Sequence, residues 1–187
     1  MRELSLNVMD VAQNSITAGA SLIEIRVEED RKKGELVIYI IDNGKGMTEE
    51  QVQRVIDPFY TTRTTRKVGL GVPLFKMEAE MTGGDFSIQS KLGEGTQVRA
   101  RFLTSHVDMI PLGNIDDTIV LLISCNPDRD FRFVHQVDGA KLELDTRQLR
   151  EILGEDVPLN TPDVVQWIKG YLQEQMEELL QQGGAST

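Results

Sequence analysis

Three short polar motifs, in fixed order and each at the edge of a regular element, constrain this chain more than any other feature. Asp10-Val-Ala-Gln-Asn14 lies on a predicted helix, Asp42-Asn-Gly-Lys-Gly46 follows a predicted strand, and Gly69-Leu-Gly71 leads into another helix. Glycine-rich turns are common and a polar pair on one helix usually faces solvent, so each motif alone carries little. Order, spacing and the intervening hydrophobic pattern together give them weight.

Leu4, Val8 and Val11 recur at helical spacing, and Asn7, Asp10 and Asn14 fall at i, i+3 and i+7. Ala18-Gly-Ala20 ends that helix, and residues 21–27 alternate as a strand. The largely β-branched and aliphatic run 36–41 predicts a strand covered on both faces that delivers its end to Asp42. Thr48 with Gln51 has capping-box spacing and starts a short helix that Asp57-Pro58 stops. After a polar, Thr- and Arg-rich stretch, a helix is expected over 72–81 with Pro73 in its first turn, followed by strands at 85–90 and 96–102. The pattern reads as helices over one face of a mixed sheet.

A connector with Pro111 and Gly113 is expected over 105–114, then a small α+β unit over 115–187. Residues 115–124 are ambiguous between helix and strand; 131–137 and 141–144 form a hairpin around Asp138-Gly139; 146–153 is a helix. The last helix starts at Pro162, and its apolar stripe from Val164 to Leu180 is expected to pack on its own domain, with a homodimer or partner helix as the alternative. Residues 181–187 are expected to fray.

The net charge of −10 is unevenly spread: residues 105–187 carry 6 basic and 15 acidic side chains. Such a surface repels phosphate backbones and anionic lipid, so neither nucleic acid nor membrane is expected as a partner, and a basic or neutral protein fits better. No apolar run reaches the roughly 18–20 residues needed to span a bilayer, and the start lacks a secretory layout, so a cytoplasmic location is expected. The lone Cys125 has no disulfide partner and is expected to be a small buried apolar residue.

The motifs suit a nucleotide triphosphate. A glycine turn entering a helix offers unobstructed backbone N–H groups and the positive dipole end, which Gly69 and Gly71 would present to phosphates. Arg63, Arg66 and Lys67 would add charge to a lid, or form a solvated basic loop. Asp42 offers an acceptor for the adenine amino group, and Gly44 and Gly46 let the purine approach the backbone. The amide oxygen of Asn14 suits Mg²⁺, and Asp10, one turn earlier, would orient or deprotonate an attacking water or hold Mg²⁺-bound water.

Residues 1–104 resemble the ATP-binding domain shared by gyrase, the chaperone Hsp90, sensor histidine kinases and MutL-type repair proteins, the GHKL superfamily. Asn14-Ser-Ile-Thr-Ala-Gly-Ala20 with Asp42-Asn-Gly-Lys-Gly46-Met47 is most similar to the MutL side; Asp57-Pro-Phe-Tyr-Thr-Thr62, Gly69-Leu-Gly71 and Gly93-Glu-Gly-Thr96 are most similar to sensor kinases. The resemblance implies a Bergerat-type α/β two-layer sandwich with a mixed sheet. It further implies that Asn14 ligates Mg²⁺, Asp42 holds adenine, Thr96 assists through water, and Phe59, Thr61 and Thr62 begin a lid. Arg63, Lys67, Gly69, Leu70, Gly71 and Val72 complete the implied ATP-contacting set. Asp10 stands where sensor kinases typically have Asn and the gyrase and MutL groups a catalytic Glu, and Lys67 stands where kinases tend to have another glycine.

With no phosphoacceptor hairpin before residue 1 and only His106 and His135 available, autophosphorylation is not expected. The expectation is a Mg-ATP-binding signalling or regulatory module, a kinase or ATPase acting on a protein partner through its C-terminal unit. A non-catalytic ATP sensor or scaffold, or a MutL-like conformational ATPase, is the alternative.

Overall fold

The computed structural model describes residues 2–59 and 70–184. Helix α1 (Leu4–Thr17) opens the chain, followed by β1 (Leu22–Asp30), β2 (Glu35–Asp42), α2 (Glu49–Ile56), α3 (Gly71–Met81), β3 (Asp85–Lys91) and β4 (Gly95–Leu103). After an irregular stretch come α4 (Ile115–Cys125), β5 (Asp130–Val137), β6 (Ala140–Asp145), α5 (Thr146–Leu153) and α6 (Pro162–Gly184). The six strands form one sheet in the order β3-β4-β2-β1-β5-β6, antiparallel except for the parallel β1–β5 pair.

Alternation decides which face is covered. Ile23, Ile25 and Val27 of β1, Leu36, Ile38 and Ile40 of β2, and Val98, Ala100 and Phe102 of β4 are buried, and they meet Leu4, Val8 and Val11 of α1 and Phe75 and Ala79 of α3 in one cluster. The rings of Phe75 and Phe102 lie tilted with centroids 5.7 Å apart, a geometry that aromatic quadrupoles favour. Helix α2 begins with a complete capping box, Thr48 accepting from the Gln51 backbone while the Gln51 side chain receives the Thr48 N–H.

Strand β2 differs from its sequence reading. Although apolar from Leu36 to Ile41, it buries only alternate residues. Its other face lies beneath a polar layer in which Arg26 and Arg99 each sit 6.0 Å from the centre of the Tyr39 ring. On the same face, Arg101 bridges Glu35 and Asp85 at 2.7 and 3.0 Å. Long Arg stems thus cover apolar surface that a second helical layer would otherwise have covered.

Residues beyond the irregular 105–114 stretch continue the same sheet and the same core. Strand β5 pairs with β1 from Leu22↔Asp130 to Glu29↔Val137, and Phe131, Phe133, Ile119, Leu122, Ile168 and Leu172 belong to the cluster containing Phe102. At the strand ends, Arg31 donates to Asp138 through its backbone N–H and Nε at 2.8 and 2.7 Å. The ambiguous 115–124 stretch is helix α4, with Asn114 as its N-cap accepting from the Asp117 N–H. Tyr171 of α6 donates its hydroxyl to the Glu143 carbonyl at 3.0 Å and stacks on Trp167. Cys125, expected inside, is exposed; it ends α4, off the stripe of Ile115, Ile119, Leu122 and Ile123 that faces the core. Helix α6 runs on to Gly184, further than the expected fraying at 181.

A shared core makes unfolding a single event. Phe102→Ala should cost about 3–5 kcal/mol. Because the only tryptophan, Trp167, lies in α6, its fluorescence transition should shift in denaturant together with the far-UV circular dichroism transition. A Trp167 transition left in place while the other moves would refute the single unit.

Candidate functional site

One cleft brings together Asn14, Asp42, Gly46, Val72 and Thr96 of the predicted site. Val11, Asn14, Ser15 and Ala18 of α1 and its end, Asp42, Lys45, Gly46 and Met47 after β2, Val55 of α2, Val72 of α3, Ile88 of β3, and Thr96 and Val98 of β4 line it. Its walls are largely aliphatic, and Asp42 is the single carboxylate among these residues.

Asp42 is held in place from two sides. Its Oδ2 accepts from Ser15 Oγ at 2.6 Å and its Oδ1 from the Gly44 N–H at 2.9 Å. Each carboxylate oxygen keeps a further lone pair, so the group remains an acceptor for a ligand. Thr96 sits directly across from Asp42 in the β2–β4 register, and its hydroxyl shares a hydrogen bond of 2.7 Å with Ser90, which also receives the Met47 N–H at 2.8 Å. The loop after β2 is fastened by the Lys45 N–H to the Ala18 carbonyl at 3.0 Å and by the Gly93 N–H to the Lys45 carbonyl at 2.8 Å.

Gly46 explains why that loop needs glycine. Its φ of +72° is a left-handed conformation, and an added Cβ would lie 2.0 Å from the Lys91 carbonyl oxygen. Gly71 is required by close approach instead: a Cβ there would come within 2.8 Å of the Asp10 Cβ. The N-terminus of α3 therefore abuts the polar face of α1 at Asp10. Leu70 at its N-cap position supplies no side-chain cap, which leaves first-turn N–H groups for an anion.

Asp10 is exposed and stands outside the cleft lining, at its α3 side, while Asn14, one turn on, lines it. Gly44 does not line the cleft; a Cβ added there would lie 3.0 Å from the Ala18 Cβ and carbonyl oxygen. Phe59 is 79% exposed and does not line the cleft. Thr61, Thr62, Arg63, Lys67 and Gly69 lie outside the described residues. The sequence reading missed Ser15, whose serine type and place beside Asn14 were a usable signal, and Lys45, Met47, Val11, Val55, Ile88 and Val98, which carry none.

Asn7, the third member of the α1 polar row, is spent on structure. It is buried and donates to Glu78 of α3, whose carboxylate also meets Arg2 at 3.2 Å. Burial pushes the Glu78 carboxyl above its ordinary value, against the opposing pull of Arg2 and the Asn7 hydrogen bond.

This arrangement fits ATP. An adenine ring needs flat apolar walls and one fixed acceptor, which the aliphatic lining and the immobilised Asp42 supply. Asn14 presents an amide that makes no hydrogen bond among the described residues, a suitable oxygen ligand for Mg²⁺.

Residues 1–106 match the model of the histidine kinase-, DNA gyrase B- and HSP90-like ATPase family, and the chain belongs to that family. Over 101 residues it is 37% identical to the sensor protein SrrB of Staphylococcus aureus strain NCTC 8325 / PS 47, an alignment covering 51% of this chain and 17% of that protein. The same figures hold for SrrB of strain COL, so the chain spans a small fraction of these relatives. Among solved structures, the N-terminal domain of a DNA repair protein aligns with a TM-score of 0.54 at 16% identity, covering 83% of this chain and 58% of that one. The Aquifex aeolicus MutL ATPase domain complexed with ADP aligns at 0.45 and 16%, covering 78% and 66%. The fold is an α/β sandwich, similar to that of the DNA repair protein's N-terminal domain, with the ATP-binding domain of the family in its first 106 residues.

Glu78 yields a pH signature. Because its carboxyl holds a proton more tightly folded than unfolded, its contribution favours the folded state at low pH and is lost as pH rises from about 4.5 through its raised folded value. Glu78→Gln, which mimics the protonated form, should therefore be more stable than the parent at pH 7, with the difference shrinking toward pH 4.5 in urea titrations.

Proposed function

We propose that this chain binds Mg-ATP in the cleft and serves as a signalling or regulatory module, a kinase or ATPase that acts on a protein partner. The observation that carries the reading is the Asp42 carboxylate, fixed by Ser15 and Gly44 among aliphatic walls. In this reading Asp42 receives the adenine amino group, Thr96 and Ser90 complete the polar edge, Asn14 holds Mg²⁺, and the first-turn N–H groups of α3 take the phosphates. Bound ATP supplies an activated γ-phosphoryl group.

Asp10 favours a second reading within the same site, a slow conformational ATPase. It stands at the N-terminus of α3 with no hydrogen bond of its own among the described residues, available to orient water. A carboxylate there accepts a proton; an Asn does not.

The partner surface we assign to the C-terminal segment. Its four arginines are engaged internally: Arg129 with the Ala20 carbonyl, Arg132 with Glu24 and Glu143, Arg147 with Asp145, and Arg150 with Asp130. Glu151, Glu155, Asp156, Asp163, Glu174, Glu177 and Glu178 have no ion pair among the described residues. These exposed carboxylates leave the segment with a negative outer surface, which suits a basic protein partner and opposes nucleic acid or anionic membrane. Among the described residues no helix is long and apolar enough to cross a membrane.

Incubation with γ-labelled Mg-ATP, following bound nucleotide, released phosphate and protein-bound label, tests the reading. Asp42→Asn should weaken nucleotide binding by at least about tenfold. Asn14→Ala should remove the Mg²⁺-dependent part of the affinity, and Asp10→Asn should spare binding while abolishing any phosphate release. Binding indifferent to Asp42 would refute the site. Label appearing on an added protein, with no release from the chain alone, would select the kinase form.

A further inference from the structure

Helix α6 turns Val164, Ile168, Leu172 and Leu179 into the core. At 3.6 residues per turn, Asp163, Trp167, Tyr171, Glu174, Glu177 and Glu178 fall within a sector of about 120° beside that buried face. No basic residue shares the sector, because Lys169, the only one in the helix, projects about 160° away from Trp167. Trp167 is 53% exposed, and its ring lies 5.2 Å from that of Tyr171 at an interplanar angle of 12°. Tyr171 is held in turn by its hydroxyl bond of 3.0 Å to the Glu143 carbonyl, so the indole is backed on one side and fixed before any partner arrives. Gly170, nearly one turn on from Trp167, leaves open space where a side chain would stand. Asp163, Glu174, Glu177 and Glu178 are exposed and make no ion pair among the described residues. Burial raises the Tyr171 hydroxyl above its ordinary value, with Glu143 and Glu178 adding to the rise, which puts the Glu178 carboxylate within electrostatic reach of the ring pair.

We propose that this face of α6 seats an arginine-bearing basic segment of another protein, one guanidinium stacking on the Trp167 indole and further basic side chains pairing with Asp163, Glu174 and Glu178. A partner there must be cationic to meet the carboxylates and planar to lie on the ring, and a guanidinium is both, whereas an ammonium is only the first. The stripe from Asp163 to Glu178 is about 22 Å long, room for several basic side chains of one segment. A second copy of this chain is the poorer occupant: a two-fold contact centred between Gly170 and Tyr171 would set Asp163 against Glu178 and offer Glu174 and Glu177 no cation. The site so defined rests on the reading of the C-terminal segment as an acidic partner surface and narrows it to one helix face with one aromatic anchor.

Because Trp167 is the only tryptophan, its fluorescence reads the site directly. The full chain titrated at low salt with a blocked peptide of alternating arginine and glycine should show a saturable change in that fluorescence. A lysine–glycine peptide of equal charge should bind at least about threefold more weakly. By calorimetry, Trp167→Ala should weaken the arginine peptide by at least about fivefold and abolish its advantage over lysine. Glu174→Gln combined with Glu178→Gln, which leaves the aromatic pair intact, should also cost at least about fivefold. Glu151→Gln combined with Glu155→Gln should change binding by no more than about twofold. Binding that leaves Trp167 fluorescence unmoved and follows Glu151 and Glu155 instead would overturn this site while sparing the broader acidic surface. No binding of either cationic peptide would overturn both. A dimer in sedimentation that Trp167→Ala dissociates would show a second copy on this face and overturn the proposal as well. None of these readouts depends on nucleotide in the cleft, so the outcome is independent of the ATP assignment.

Discussion

Strand β1 is hydrogen-bonded along both edges, antiparallel to β2 and parallel to β5, and this double pairing fixes everything built on the sheet. Asp42 reaches the cleft because β2 runs in register against β1 up to Ile23↔Asp42. The turn from α1 into β1 is secured at the same place, where Asn43 Oδ1 accepts from the Ser21 and Leu22 N–H groups at 2.9 and 3.0 Å. A one-residue slip would turn Ile23, Ile25 and Val27 outward and carry Asp42 away from Ser15. Burial of one strand face and placement of the site carboxylate are thus a single constraint.

The parallel partner matters as much as the antiparallel one. A parallel strand needs a long crossover, and here the connection from β1 to β5 includes most of the family-matched segment and α4. Helix α4 packs on α1 and on α6, so the acidic C-terminal segment is anchored to the helix that carries Asp10 and Asn14. That mechanical continuity is what a nucleotide-dependent effect on a C-terminal partner surface would require.

Local elements were legible in the sequence where one short window carried the cause. The Thr48–Gln51 box, the Pro73 start, the turn at Asp138-Gly139 and the apolar stripe of α6 each announce themselves through chemistry that acts within a few residues. The cleft was legible through Asn14, Asp42 and Gly46 because of their types and spacing, and through Thr96 only by the family resemblance. Val55, Ile88 and Val98 were not, since an aliphatic wall residue looks like any core residue until the fold brings it to the cleft. The β1–β5 pairing was equally hidden, because nothing near Leu22 or Asp130 encodes a partner more than a hundred residues away. Arg26 and Arg99 over Tyr39 misled in the opposite direction, by allowing the apolar run of β2 to leave one face without a helical cover.

What separates Asn7 from Asp10 is therefore the part of the opposite helix that each one meets. Helix α3 crosses α1 closely enough that only glycine fits at position 71 beside Asp10, and two turns later the same helix presents Glu78 to Asn7. The contact at Glu78 consumes the Asn7 amide and, through Arg2, ties down the start of α1. The contact at Gly71 carries no side chain, so it brings backbone N–H groups near Asp10 without consuming its carboxylate. A larger residue at 71 would push the two helices apart at the end where phosphate is proposed to bind while the Glu78 end stayed closed. The pairing of a bulky, hydrogen-bonded crossing with a bare one leaves Asn7 as a structural clamp and the Asp10 carboxylate without a hydrogen bond among the described residues.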